Sequence, residues 1–494
     1  MFFIVLHLPF SKIWLRPPFL AARRSYKLWL LEKTLWSPFS MSTRVAIIGA
    51  GPAGLVLAAT LAKKSSAFSV KVFEQGADHK AAASYDPNRS YTIDITGHGA
   101  LAVEALGATE LFDEKLIKFK GLRILITGED HWFDGNGWTG SRGDICKTLL
   151  GVIDEAASPN VEVLFDTTAE VLDMMKGTVQ TTSKAGERAV HEFDVVVGAD
   201  GAGSKLRGVM SKLPSFAMSS INMENYSIML HMDQNTSELD PGLLHIFGTD
   251  PFLVAGAING NGGKSDPLWF CQVGFKGLDK GKWLQEASLK DLKTKLKKSG
   301  WPKSTDLLRY VSDKSLQEFQ ARMPQATGKG KMVSPWSHGR CVLVGDAGAP
   351  FPPIGQGVNC GMQGALVLGE ALVEGLAPGS GPCEVAVTKA FQAFTEKWKP
   401  EADAVTDISA LTDVGKFTNP LEVAKTLVLT KIKCGGVQLA KDATVTYQEA
   451  LAAHKSGVRM LWLFGLPTLV SAGAVMIYLA REVSLAAFGL RLIQ

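Results

Sequence analysis

Gly49, Gly51 and Gly54, within "RVAIIGAGPAGLVLAATLA" (44–62), stand in GxGxxG spacing directly after an apolar run and at the head of a helix-like one. That order suits a dinucleotide pyrophosphate. Gly49 permits the tight turn, Gly51 lets the phosphates approach the backbone, and Gly54 lets helix and strand pack closely. The helix start offers unpaired N–H groups and the positive end of a dipole to the phosphates. Glu74 ends the next strand, where a carboxylate accepts hydrogen bonds from ribose hydroxyls. The motif alone does not separate FAD from NAD, and a structural glycine turn is the bland alternative.

Two later stretches end strands in the same manner. "DVVVGADGAGSKLR" (194–207) ends one at Asp200 and Gly201, and "VLVGDAGAPFPPIGQGVNCG" (342–361) ends another at Asp346. The second runs through Pro353, Ile354, Gly355, Gln356 and Gly357 to Asn359, which is expected to cap or orient the helix that follows. Bare backbone at a helix start leaves N–H groups and the positive end of a dipole open to a ligand. A structural loop is again the alternative.

The elements that must hold these residues are legible in the periodicity. "VAIIGA" reads as a buried strand, 52–63 as a helix and "FSVKVFE" as a second strand, which makes a βαβ unit of about thirty residues. "GALAVEALG" and 143–157 read as helices, and 161–182 as short strands. From about 215 to 335 short β-like runs are broken by Gly, Asn, Asp and Pro turns, with one lysine-rich helix at 288–300 whose charge is a solvated face. The first pattern resumes with "CVLVGDAG" and a long helix from about Gly357 to Glu374. The expected class is therefore α/β: a Rossmann-type domain in two parts (41–214 and 336–415), a β-rich domain inserted at 215–335, a helical linker at 416–457 and a helical membrane tail at 458–494.

The net charge of +4 over 494 residues, without a basic stripe interleaved with aromatics, argues against a nucleic-acid partner. Six scattered cysteines with no CxxC pair read as reduced thiols and no zinc site. Residues 1–40 are acid-poor and basic, which suits a targeting segment, yet Met41 is also a natural start, so a targeting segment and a gene-prediction extension both stand. "LWLFGLPTLVSAGAVMIYLA" (461–480) is uncharged and of transmembrane length, bounded by Arg459 and Arg481, and reads as a membrane anchor rather than a core helix.

The triple of strand ends resembles the fingerprint set of group A FAD-dependent aromatic monooxygenases, and the likeness over most of 44–415 is to the kynurenine 3-monooxygenase family. The resemblance implies an aromatic hydroxylase fold, FAD as cofactor and NAD(P)H as transient reductant. No second βαβ unit carries its own GxGxxG, and "GNGG" (260–263) reads as a turn, which fits a nicotinamide that docks only briefly. It further implies that Asp200 and Gly201 support FAD and nicotinamide, that Asp346 binds the ribityl chain, and that Gly355, Gln356, Gly357 and Asn359 lie at the flavin. "NRSYTIDIT" (88–96) is similar to the family segment whose arginine grips the substrate carboxylate, here Arg89, and "SRGDICKTLL" (141–150) to the helix whose arginine contacts FAD, here Arg142. Pro353 and Ile354 would sit near the reactive face of the flavin, against the substrate. Reduced by NAD(P)H, the cofactor would activate dioxygen and pass one oxygen atom to an electron-rich ring or alkene, so no catalytic side chain is required beyond it. The family also ends in a membrane-binding tail, which implies an organelle membrane, the mitochondrial outer membrane first.

This chain departs from the family in two places. "GDAGA" replaces the usual Gly-Asp-Ala-Ala-His and the stretch before "GQG" is one residue shorter; Leu411, Thr412 and Asp413 replace Tyr-Asn-Tyr, and an aspartate facing the pocket would repel a carboxylate. These departures keep two other readings open: a membrane-linked epoxidase of a lipid or terpenoid, and an FAD-binding protein without turnover.

Overall fold

The computed structural model describes residues 42–81, 91–125, 128–156, 159–300, 306–376 and 382–465. A six-stranded sheet runs in the order Ser337–His338, Cys341–Leu343, Val195–Gly198, Thr43–Ile48, Phe68–Phe73, Val161–Leu164. All neighbours pair in parallel except the two-residue edge strand. Val45 sits in register with Val195 on one side and Val70 on the other. Val45, Ala46 and Ile47 are fully buried, so both faces are covered, as a parallel sheet fed by crossover helices requires. The helix Pro52–Lys64, begun by a proline at a position that needs no N–H, packs on the helices Gly357–Gly375 and Arg142–Glu155. Strands from 43–198 and from 337–343 thus share one sheet.

A seven-stranded sheet forms the second layer system, in the order Gln325–Ala326, Asn225–Met232, Gly263–Lys276, Phe252–Gly260, Leu243–Thr249, Gly121–Ile124, Glu129–Trp132. Its own core gathers Leu230, Phe247, Trp269, Val273 and Phe275. The "GNGG" stretch is the turn between its two longest strands. Two strands come from outside the expected insert. The hairpin 121–132 joins the sheet by parallel pairing of Gly121–Ile124 with Leu243–Ile246. Gly121, at φ 142°, starts the hairpin where a side chain would strike the His131 carbonyl. An antiparallel strap of Ala217–Asn222 with Lys329–Ser334 lies at the two ends of the insert.

The C-terminal stretch does more than link. The helix Glu384–Ser409 is followed by Pro420–Lys431, Gly436–Leu439 and Tyr447–Met460. The last of these begins with a capping box between Thr446 and Glu449 and packs on Glu384–Ser409 with Tyr447 and Ala450 fully buried. Residues 1–40 and most of the apolar run at 461–480 lie outside the described residues. Among the described residues no helix is long and apolar enough to cross a membrane.

Candidate functional site

The three glycines of the first motif divide their work. Gly49 holds φ 107°, and a Cβ there would stand 2.5 Å from the Ala199 carbonyl oxygen, while one on Gly54 would run into Gly49 O. Both are demanded by the fold itself. A Cβ on Gly51 would meet only the Arg142 guanidinium, at 3.1 Å, so this glycine faces the cleft. Glu74 accepts the Ala50 N–H at 2.9 Å and the Gly76 N–H at 2.8 Å, one on each oxygen. It ties the glycine loop to the strand end, and each oxygen keeps a second acceptor position for a ribose hydroxyl.

The second and third motifs are joined by a residue that the sequence left unassigned. Arg207 is 5% exposed, and its guanidinium donates to Asp346 O at 3.1 Å, to Ala347 O at 2.8 Å and to Ala202 O. Its only signal in the sequence is an arginine closing "GADGAGSKLR", which reads equally as a surface helix residue. Asp200 accepts the Lys205 N–H at 2.7 Å and so starts the following helix, while its buried Oδ1 has no partner. Gly201 holds φ 74° with open space where a side chain would be.

Asp346 opens on the cleft but is crowded by protein. Burial pushes its carboxyl up to about 6, against the pull of Arg142 and Arg207. Arg142 is the first residue of a helix capped by the Ser141–Asp144 box, and its exposed side chain reaches Gly51. Tyr91 belongs to the same group: although half of its surface is open, the protein packed round its hydroxyl raises the phenol's pKa, with Asp346 adding to that and Arg142 opposing it. The Arg142 guanidinium thus lies beside Gly51, and the charges of Asp346 and Arg142 both act on the Tyr91 phenol. Arg89 lies outside the described residues.

At the third motif the glycine loop is held from within. Gly355 takes φ 76°. Asn359, fully buried, accepts the Thr96 N–H at 3.0 Å and donates to Asp94 O at 2.9 Å and Gly355 O at 2.8 Å. Gln356, also fully buried, donates to Gly355 O at 2.9 Å and accepts from the Tyr447 hydroxyl at 3.0 Å. The expectation that Gln356 and Asn359 meet the cofactor is thus narrowed: their side chains are occupied inside the protein, and only backbone is left to offer. Asn359 does orient the helix start, as its position suggests. That helix has no side-chain cap, and a Cβ on Gly357 would meet nothing within 4 Å. Pro353 is exposed, whereas Ile354 is 7% exposed and packs into the main core, which leaves it little surface for a substrate.

One residue in each departure from the family pattern, Gly348 and Asp413, has a local account. A Cβ on Gly348 would lie 3.1 Å from the fully buried Trp336 ring, so the glycine in "GDAGA" makes room for that indole. Asp413 is 2.6 Å from Lys276 Nζ and accepts the Gly415 N–H at 3.0 Å. Its charge is paired with that of Lys276, which offsets the repulsion expected of it were it to face the pocket.

FAD fits this cradle. The glycine at 51 and the uncapped helix at 357 leave the space and the N–H donors that a pyrophosphate and a flavin edge require, and the orphaned Asp200 Oδ1 marks an unmet acceptor beside them.

A family model described as an FAD binding domain matches residues 148–384, and one described as an NAD(P)-binding Rossmann-like domain matches residues 47–114. The kynurenine 3-monooxygenase of Candida albicans is 24% identical over 375 residues, covering 73% of this chain and 77% of that one. That of Stenotrophomonas maltophilia is 22% identical over 380 residues, 74% of this chain and 77% of its own. The chain is an FAD-dependent monooxygenase similar to the kynurenine 3-monooxygenases. Solved structures show the same fold for this monooxygenase. The tetrameric 2-methyl-3-hydroxypyridine-5-carboxylic acid oxygenase aligns at TM-score 0.53 and 20% identity over 75% of this chain and 90% of that one. The tetracycline destructase Tet(51) aligns at 0.55 and 16% over 83% and 99%. FAD and NAD(P)H are the cofactors of the monooxygenase, and dioxygen and a small aromatic molecule are its other reactants.

Proposed function

We propose that the monooxygenase hydroxylates an aromatic amino acid of the kynurenine type, at the ring position next to the amino group, while tethered to a membrane by residues 461–480. The likeness to kynurenine 3-monooxygenases from yeasts and bacteria supports the substrate class. The observation that carries the reading is the Arg142 guanidinium set beside Gly51, with the open helix start at Gly357 in the third motif. In this reading FAD supplies the redox chemistry and the oxygen transfer. The chain binds and shields. Gly49, Gly51, Gly54 and Glu74 hold the adenosine half with Arg142; Asp200, Gly201 and Asp346 hold the middle; backbone at Gly355, Gln356, Gly357 and Asn359 meets the flavin. Arg89 anchors the substrate carboxylate through a bidentate pair, and Pro353 covers the reacting ring from solvent. Asp413 does not stand against this assignment, because its charge is paired with that of Lys276.

The test is anaerobic reduction of the bound flavin by NADPH with and without L-kynurenine, followed by admission of air and product analysis. Faster bleaching with kynurenine and a hydroxylated product support the reading; a bound flavin indifferent to kynurenine removes the substrate assignment. Fractionation of full-length chain and of a chain ending at 460 tests the tether, which predicts that only the former sediments with membranes, with the mitochondrial outer membrane the first to assay.

A further inference from the structure

The segment between the last two helices carries a lysine to the flavin loop. Lys441 follows the helix Gly436–Leu439, and its backbone rests on the turn at Gly97, where any side chain would collide with the Lys441 carbonyl. Its Nζ lies 3.5 Å from where a Cβ on Gly355 would be. Among the described residues that ammonium makes no ion pair and no hydrogen bond. Asp94 lies on the other side of the same loop: its backbone oxygen and that of Gly355 share the Asn359 amide. The Asp94 side chain is 5% exposed, and its Oδ1 has no partner. Burial raises its pKa, and Lys441 pulls part of that back.

Asn359 holds the Asp94 backbone, and the Gly97 turn seats the Lys441 backbone, so both residues are carried to the Gly355 loop. What results is a field set up in advance beside the loop that meets the cofactor. We propose that Lys441 and Asp94 set the electron affinity of the bound flavin, Lys441 stabilising the negative charge that arrives on reduction and Asp94 opposing it. The inference rests on the flavoenzyme reading. In the step concerned a hydride, two electrons with one proton, leaves the nicotinamide, which is oxidised, for the flavin, which is reduced. The excess charge stays on the pyrimidine side of the ring, the side that the Gly355 loop and Lys441 would face.

The test is the midpoint potential of FAD bound to the full chain without substrate, measured against a reference dye, for the wild type, Lys441→Met, Lys441→Arg and Asp94→Asn. Lys441→Met is expected to lower the reduced-to-oxidised ratio at a fixed poise roughly tenfold or more. Asp94→Asn raises it, and Lys441→Arg stays near the wild type. Flavin bound to Lys441→Met at the wild-type potential overturns the inference, and an unchanged potential with a raised KM for kynurenine would give the lysine to the substrate carboxylate instead. If Lys441→Met does not fold or retain flavin, Asp94→Asn decides: an upward shift supports the proposal and no shift overturns it. A wild-type chain that takes up no FAD overturns the flavoenzyme reading, and this inference with it.

Discussion

The Tyr447 hydroxyl donates to Gln356 Oε1 at 3.0 Å, with both residues fully buried. One bond thus ties the first turn of a C-terminal helix to the loop that opens the flavin helix, across 91 positions of sequence. Tyr447→Phe removes the donor and leaves a buried amide oxygen unpaired, which costs about 1–3 kcal/mol. The expected result is a lower urea midpoint for the apoprotein together with faster loss of FAD on dilution. A variant that melts like the wild type would mean that water replaces the hydroxyl.

Gly54 and Gly357 separate folding from binding. An alanine at Gly54 would collide with the Gly49 carbonyl, so Gly54→Ala is expected to lose about 1–3 kcal/mol or more of stability before any cofactor is added. A Cβ at Gly357 meets nothing in the protein. Gly357→Ala should therefore keep the thermal midpoint of the apoprotein and weaken FAD binding roughly tenfold. Titration of both apoproteins with FAD, followed by flavin fluorescence, reads the contrast.

What the sequence disclosed and what it hid follow from the range of the interactions. The βαβ unit, the strand ends at Asp200 and Asp346 and the helix at Gly357 are local patterns, and each is found where the spacing places it. Gly49 and Gly54 announce themselves because backbone collisions leave no other residue possible there. Arg207, Tyr91 and Lys441 were hidden because their importance lies in partners 139 residues away for Arg207 and Asp346, or in a loop brought close only by the fold. The strands at 121–132 were missed for the same reason: their pairing partner begins at Leu243. Gln356 shows the converse limit, since a motif identifies which residues matter without saying which way their side chains turn.

Acid should weaken the apoprotein through its histidines. Burial holds His98, His231, His245 and His454 below their ordinary 6.5, so each is neutral in the folded state while the unfolded chain takes up a proton near that pH. Their contribution is complete above 6.5 and lost as pH falls below it. His98, whose ring packs on Tyr447 at 4.2 Å between centroids, lies against the bond described above. The thermal midpoint is expected to fall between about pH 7 and pH 5, and His98→Gln should flatten part of that slope.

Asp346 works in the opposite sense, and this gives the sharpest test of its role. Its folded-state pKa is raised from 3.8 to about 6, so the folded apoprotein holds a proton there that the unfolded chain has released. The stability this confers is present below 3.8 and lost as pH rises to about 6. Above that, the carboxylate is ionised in a crowded cleft at a cost moderated by the solvent that still reaches it. Asp346→Asn removes the cost, so the variant apoprotein should gain on the wild type as pH rises from 4 to 7, when melting curves are compared pair by pair. FAD should move the other way. The neutral amide can no longer serve as an anionic acceptor for a hydroxyl chain, and affinity is expected to fall roughly tenfold. A variant that is more stable when empty and less stable when loaded would show a carboxylate kept at the cleft for its ligand; one that merely loses stability in both states would make Asp346 a structural residue.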